Sequence, residues 1–88
     1  MIDIKQAVTV AKDFIAHLYP DPLPDLALEE VQRSEDDKYW LITLGFSRPK
    51  PTTSSLQALA GTQMARVYKV IKIDLESGEP VSMLIREL

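Results

Sequence analysis

Residues 38–46, KYWLITLGF, are mostly apolar, and they divide into two sets at alternating positions. A period of two residues predicts a β-strand, because successive side chains of a strand point to opposite faces of the sheet. One face of this strand carries the larger apolar side chains: Trp40, Ile42, Leu44 and Phe46. The other face carries Tyr39, Leu41 and Thr43. Since both faces are rich in apolar side chains, both need cover from water, and this requirement constrains the fold more than any other feature of the sequence. We expect Trp40 to anchor the core.

Three other segments have strand character, namely residues 26–33, 65–75 and 81–86. In the first of them, Leu26 and Leu28 alternate but Val31 falls out of phase, which predicts a β-bulge or a frayed end of the strand. A tight turn is predicted between the last two segments, because Gly78 tolerates a positive φ. Pro80 follows at the start of the last strand, where its missing N–H does least harm.

The N-terminal segment, residues 3–18, predicts an amphipathic helix. Its main apolar residues recur at spacings of three and four, which places them on one face of the helix. These residues are Ile4, Val8, Ala11, Ile15 and Leu18, and the stripe is widened by Ala7 and Phe14. Asp3 and Gln6 have the spacing of a capping box at the N-terminus. Three alternating prolines follow the helix and predict a stiff, extended connector that leads into the first strand.

The order helix, strand, strand, loop, strand, strand predicts an α+β fold. In this fold one N-terminal helix packs across a four-stranded antiparallel sheet. The length of 88 residues suits one domain, residues 1–88. Within that domain, residues 47–62 are rich in Pro, Ser and Thr and predict a flexible loop.

Composition and charge exclude several classes of protein. The net charge is −3, and because basic residues that neutralise phosphate dominate nucleic-acid affinity, we expect no nucleic-acid partner. No segment approaches the roughly 20 apolar residues that a membrane-spanning helix needs, and the N-terminus does not have the pattern of a signal peptide. The chain has no Cys, which fits a reducing compartment. We therefore expect a cytoplasmic protein without a membrane span.

The histidine and the acidic clusters form no pattern typical of an active site or a metal site. His17 lies one helical turn after Asp13 and could pair with it, but no nucleophile or oxyanion site accompanies them. Glu29, Glu30 and the acidic residues 35–37 lack the alternating ligands and the glycine of a calcium loop. We therefore expect no catalytic residue, no cofactor and no metal, and interpret the protein as non-enzymatic.

Three parts of the chain resemble the PepSY-type domain. They are an alanine-bearing helix (QAVTVAKDFIAHL), a strand with aromatic residues (KYWLITL), and a strand, acidic turn and apolar strand at the end (VYKVIKIDLESGEPV). Asp74, Gly78, Glu79 and Val81 match the closing pattern of that family, with one more residue than usual before Gly78. The resemblance implies an inhibitory or interaction module and brings no catalytic residues with it.

The sheet face opposite the helix is the candidate interaction surface. One helix covers one face, so apolar side chains on the other face would form an exposed patch, and such patches mark interfaces. The predicted interface residues are Tyr39, Leu41, Tyr68, Val70 and Leu84. An alternative left open by the sequence is that residues 47–62 fold back and cover this patch themselves.

These observations favour a small binding module of unknown specific role that self-associates through its sheet as a homodimer, with a further protein partner left open. The alternative function is that of an inhibitor or immunity-type protein. Such a protein would use an edge strand or the 47–62 loop to block a partner enzyme, for instance a peptidase or a toxin.

Overall fold

The computed structural model describes residues 1–49 and 64–87. Its elements are helix α1 (Ile4–Leu18) and strands β1 (Ala27–Arg33), β2 (Tyr39–Pro49), β3 (Met64–Asp74) and β4 (Pro80–Arg86). The four strands form an antiparallel sheet in the order β1-β2-β3-β4, so that β1 and β4 are its edges. Helix α1 lies against β2, β3 and β4. The predicted α+β fold, with an N-terminal helix on a four-stranded sheet, is confirmed.

Helix α1 begins at the predicted capping box. The Gln6 backbone N–H donates to Asp3 Oδ1 (2.8 Å), and the Asp3 backbone N–H donates to Gln6 Oε1 (3.0 Å). These reciprocal bonds satisfy two backbone donors that the first helical turn would otherwise leave unpaired. At the other end Tyr19 is extended (φ −112°, ψ 128°), as expected for a residue that precedes proline.

The buried stripe of α1 differs from the predicted one. Ala7, Ala11 and Ile15 are completely buried, whereas Ile4 and Leu18, predicted to belong to this stripe, are 45% and 50% exposed. Residues at spacings of four lie above one another on a helix, so the stripe keeps the expected period but is rotated. The two alanines let the helix approach the sheet closely, and the larger Ile4 side chain is displaced to the margin.

The core lies between α1 and the helix-facing side of β2 and β3. Its fully buried sheet residues are Ile42, Leu44, Phe46, Ile71 and Ile73. Phe46 is the largest of them and meets Tyr19 edge to face, with 5.4 Å between the ring centroids. Trp40, the expected anchor, packs against the core but is only half-buried. Its indole N–H donates to the Ile2 carbonyl oxygen (3.2 Å).

Strand β1 contains the predicted bulge, and β2 is longer than predicted. The register between β1 and β2 shifts between Leu28 and Glu30. Strand β2 continues to Pro49, so residues 47–49, which were expected to begin the loop, pair with the start of β3 instead. The remainder of the predicted loop, residues 50–62, lies outside the described residues, and β3 begins at Met64.

The turn between β3 and β4 is held by one carboxylate. Asp74 Oδ1 accepts hydrogen bonds from the backbone N–H groups of Glu76 and Ser77, both at 2.9 Å. Gly78 has a φ of 74°, which confirms the prediction that the turn uses the tolerance of glycine for a positive φ at this position. A Cβ atom at Gly78 would also lie 3.0 Å from the Ile2 side chain, so space as well as conformation favours glycine.

We predict that Phe46→Ala lowers the free energy of unfolding by about 3–5 kcal/mol, because it removes a fully buried aromatic ring and leaves a cavity. Urea unfolding can be followed by the fluorescence of Trp40, the only tryptophan in the chain. The control is Leu18→Ala, which truncates a side chain that is 50% exposed at the end of α1 and should change the free energy by no more than about 0.5 kcal/mol. Equal effects of the two variants would contradict this placement of the core.

The turn predicts a pH dependence. The hydrogen bonds from the Ser77 and Glu76 N–H groups hold the pKa of Asp74 below its ordinary value of 3.8. The folded protein therefore binds fewer protons here than the unfolded chain. The stability that this carboxylate contributes is present above pH 3.8 and is lost as the pH falls through the lower folded pKa.

We expect Asp74→Asn to reduce the melting temperature at neutral pH, and the difference from the parent to shrink as the pH is lowered below that range. Melting curves between roughly pH 2 and pH 7 would measure this. Asp21→Asn, in the connector, controls for the removal of an exposed carboxylate outside the turn. A difference that stays constant over the whole range would show that the charge of Asp74 contributes nothing to the turn.

Candidate protein interaction surface

We call the sheet surface turned away from α1 the outer face. The strand register brings the predicted interface residues together on it. Thr43 pairs with Val70, and Val70 pairs with Leu84, so these three lie in one row across β2, β3 and β4. Leu41 lies in the next row, opposite Lys72, and Tyr68 lies on the other side of the Val70 row, opposite Gly45. Tyr39 begins β2 at the end of the same face.

The predicted interface residues differ in exposure. Tyr39, Leu41, Tyr68 and Val70 are half-buried, and Leu84 is 62% exposed. Part of the cover over Tyr39 comes from Lys72, whose Nζ lies 4.4 Å from the ring centroid. The five predicted residues therefore share one face of the sheet, but the only exposed one among them is Leu84, on the edge strand β4.

An ion pair joins the two edges of the sheet across the outer face. Arg86 on β4 binds Glu30 on β1 through two contacts of 3.0 Å, one to each carboxylate oxygen. The Arg86 guanidinium also donates to Thr43 Oγ1 (3.3 Å), and Thr43 is only 2% exposed beneath this cover. Bidentate pairing fixes the geometry of both side chains. It places polar groups over the middle of the face that the sequence predicted to be apolar.

A second ion pair lies beside the first. Arg66 on β3 binds Glu29 at 2.8 Å and also donates to the carbonyl oxygens of Asp25 (2.9 Å) and Gly45 (3.2 Å). The Glu29 carboxylate raises the pKa of Arg66 above its ordinary value. A Cβ atom at Gly45 would lie 2.9 Å from Glu29 Oε1 and 3.0 Å from Tyr68 Cε1, so glycine is what allows these two side chains to cross β2.

The bulge in β1 explains why both consecutive acids reach the same face. In a regular strand, neighbouring side chains point to opposite faces. Here Glu30 is paired with Thr43 and Glu29 occupies the unpaired bulge position, and both bind arginines of the outer face. The sequence predicted the bulge but not this consequence. The sequence did contain a signal for these ion pairs. Arg66 and Arg86 lie two residues from Tyr68 and Leu84 on the same strands, and therefore on the same face of the sheet.

The other ionisable groups that the sequence singled out have local structural roles. The His17 ring donates from Nδ1 to the Asp13 backbone oxygen (2.8 Å), so the pairing with the Asp13 carboxylate is wrong. Asp36 accepts from Ser34 Oγ (2.6 Å) and the Lys38 N–H (3.1 Å) in the β1–β2 turn, and these bonds lower its pKa. Over residues 1–49 and 64–87, no group of three His, Cys, Asp or Glu side chains is placed to hold a metal ion.

The two edge strands of the sheet differ in how they meet solvent. Strand β1 carries a bulge and three charged residues: Glu29, Glu30 and Arg33. Charges and bulges protect an edge strand from pairing with another strand. Strand β4 has no charge before Arg86, and its exposed apolar residues are Val81 (55%), Leu84 (62%) and Ile85 (74%). Most of the accessible apolar surface of the sheet is therefore at the β4 edge.

We predict a measurable coupling between Arg86 and Glu30. The double-mutant cycle of Arg86→Gln and Glu30→Gln should give about 0.5–1 kcal/mol, because both side chains are about one-third exposed and water screens the pair. The coupling should fall when urea unfolding is repeated at about 1 M salt. The cycle of Arg86→Gln and Glu29→Gln is the matched control, since Glu29 binds a different arginine. Equal couplings in both cycles would contradict the pairing.

Comparison of the chain with protein-family models, curated proteins and solved structures gave no match in any of the three. No helix within the described ranges is both long and apolar enough to cross a membrane. The resemblance to PepSY-type domains stays a prediction.

Proposed function

We propose that this protein is a small non-enzymatic binding module that self-associates through its sheet as a homodimer. The observation that carries the proposal is the accessible apolar surface of β4, where Leu84 and Ile85 are 62% and 74% exposed on opposite faces of an edge strand. An edge strand of this kind presents unpaired backbone groups and apolar side chains together. A second strand that pairs with it forms hydrogen bonds with the backbone groups and covers the apolar side chains.

The predicted interface has the character of a protein contact. Its half-buried members, Tyr39, Leu41, Tyr68 and Val70, continue inward from Leu84 over the outer face. The ion pairs of Arg66 and Arg86 cross the outer face over β2, so the accessible apolar part of this strip is its β4 end. An apolar centre with a polar rim is the usual composition of a protein interface, and aromatic residues are enriched in it.

A cytoplasmic location belongs to the same proposal. It is supported by the absence of Cys and by the balance of 45% apolar and 26% charged residues. The proposed PepSY-like character fits as well, since that family supplies interaction modules.

The alternative function, an inhibitor or immunity-type protein, would use the same surface. An extended segment of a partner enzyme can add to an exposed sheet edge through main-chain hydrogen bonds. The two functions differ in the occupant of β4. A second copy gives a mass that depends on the concentration of this protein alone, whereas a partner segment leaves the isolated protein monomeric.

We predict that the protein dimerises and that Leu84→Lys weakens the dimer at least tenfold while the fold survives. A two-fold arrangement would bring the two introduced ammonium groups together in a desolvated contact, and like charges in such a contact repel. Light scattering coupled to gel filtration, over roughly 1 to 500 µM protein, would give the dissociation constant.

Leu28→Lys is the matched control, because Leu28 is 42% exposed on the other edge strand and should leave the mass unchanged. Circular dichroism checks that both variants are folded. A parent protein that remains a monomer at the highest concentration would overturn self-association. The β4 surface would then be tested against extended peptides from candidate partner enzymes.

A further inference from the structure

Within residues 1–49 and 64–87, the short strand β4 has a strand partner on one side only. From Ser82 to Arg86 its residues pair one to one with β3, while the register shifts just before Ser82, between Lys72 and Ile73 of β3. In an antiparallel ladder the backbone N–H and C=O groups of alternate residues point to alternate sides. Half of the backbone groups of this segment therefore point away from β3, where the sheet ends.

The structure indicates which strand of a second copy can pair with the free edge of β4. Strand β1 cannot offer a regular partner, because its bulge and the two glutamates beside it interrupt the edge. The regular part of the β4 edge is bounded by the register shift before Ser82 and by the end of the strand at Arg86. The centre of the segment between these boundaries is Leu84.

We infer that two copies pair through β4 in antiparallel orientation, with Leu84 opposite its own counterpart, to give one continuous eight-stranded sheet. This inference rests on the proposed self-association and names the surface and the register by which it occurs. A two-fold axis through the Leu84 pair makes the contact self-complementary and closed, so it gives a dimer and not a fibre.

The side chains match in this register. On the helix-facing side, Met83 of each copy lies opposite Ile85 of the other, so the most exposed apolar residue of β4 gains an apolar neighbour. On the outer face, Leu84 meets Leu84, which extends the row of Thr43, Val70 and Leu84 into a row that runs through both copies. Such directly opposed apolar pairs stabilise a sheet.

The charges match as well. Arg86 lies opposite Ser82 of the other copy, and its guanidinium is already bound to Glu30 within its own copy. No like charges face each other within the five paired positions. A register centred on Met83 would instead place Ile85 opposite Val81, where the register of β4 shifts. The bulge would interrupt that ladder, so the Leu84-centred register is favoured.

The size of the contact sets its expected strength. Five paired residues span about 17 Å, and the area buried by one strand pair is below the roughly 1,200 Å² that stable interfaces bury in total. We therefore expect a dimer that dissociates on dilution, with a dissociation constant in the micromolar range.

Cysteine cross-linking tests the register directly, because the chain contains no Cys and each introduced one is unique. Directly opposed residues of antiparallel strands have Cα atoms about 4.5–5.5 Å apart, within the range that a disulfide can bridge. We expect Leu84→Cys to form a disulfide-linked dimer under mild oxidation. The exposed position makes this change compatible with folding.

Ile85→Cys is the matched control. In the proposed register Ile85 is displaced from its own counterpart by two residues, which puts their Cα atoms about 8 Å apart and beyond disulfide reach. It should therefore cross-link at least tenfold more slowly than Leu84→Cys. A mixture of Ile85→Cys with Met83→Cys should form the mixed dimer, since these two positions are opposed.

The outcomes separate this inference from the proposed function. Both are supported by a dimer in light scattering in which Leu84→Cys and the mixture of Ile85→Cys with Met83→Cys link rapidly, while Ile85→Cys alone does not. A dimer in which Leu84→Cys does not link overturns the β4 register and leaves self-association standing. Packing of two outer faces would give that result, because face-to-face sheets lie about 10 Å apart. A protein that is monomeric throughout overturns both.

Discussion

The fold depends on the burial of one face of the central strand pair. The helix-facing side chains of β2 and β3 from Ile42 to Phe46 and from Ile71 to Ile73 are completely buried, and the matching surface of α1 is formed by Ala7, Ala11 and Ile15. The small side chains of Ala7 and Ala11 let helix and sheet approach closely, in keeping with the close packing of protein interiors. Since β2 and β3 form the centre of the sheet under the helix, β1 and β4 lie at its edges.

The second face of β2 is not covered in the same way, because residues 1–49 and 64–87 contain one helix and it lies on the other face. Its centre is covered by long side chains that reach inward from neighbouring strands. Arg86 crosses from one edge to Glu30 on the other and buries Thr43 on the way, and Arg66 crosses β2 at Gly45. The aliphatic stems of arginine cover apolar surface while their charged ends remain paired. This cover ends before β4, whose apolar residues remain accessible.

The sequence was sufficient for the elements and their order, because each carried a local signal. Asp3 and Gln6 marked the start of the helix, Gly78 marked the last turn, and the displaced Val31 marked the bulge. What it could not predict depends on distant parts of the chain. Which face of the helix is buried is decided by its packing against the sheet, and the pairing of Glu30 with Arg86 joins residues 56 positions apart. The predicted interface residues share a face, as expected, but their exposure depends on those long-range pairs.

The Ile2 backbone has a consequence for how the chain acquires this structure. Its N–H donates to the Leu75 carbonyl oxygen (3.0 Å) and its own carbonyl oxygen accepts from Trp40, so the second residue is tied to the middle and to the last third of the chain. A helix of 15 residues is marginal in water by itself. During synthesis α1 emerges before the strands, but its buried stripe has no complete packing surface until β3 has been synthesised. The domain should become protease-resistant in a single step, and only after the Leu75 region has left the ribosome.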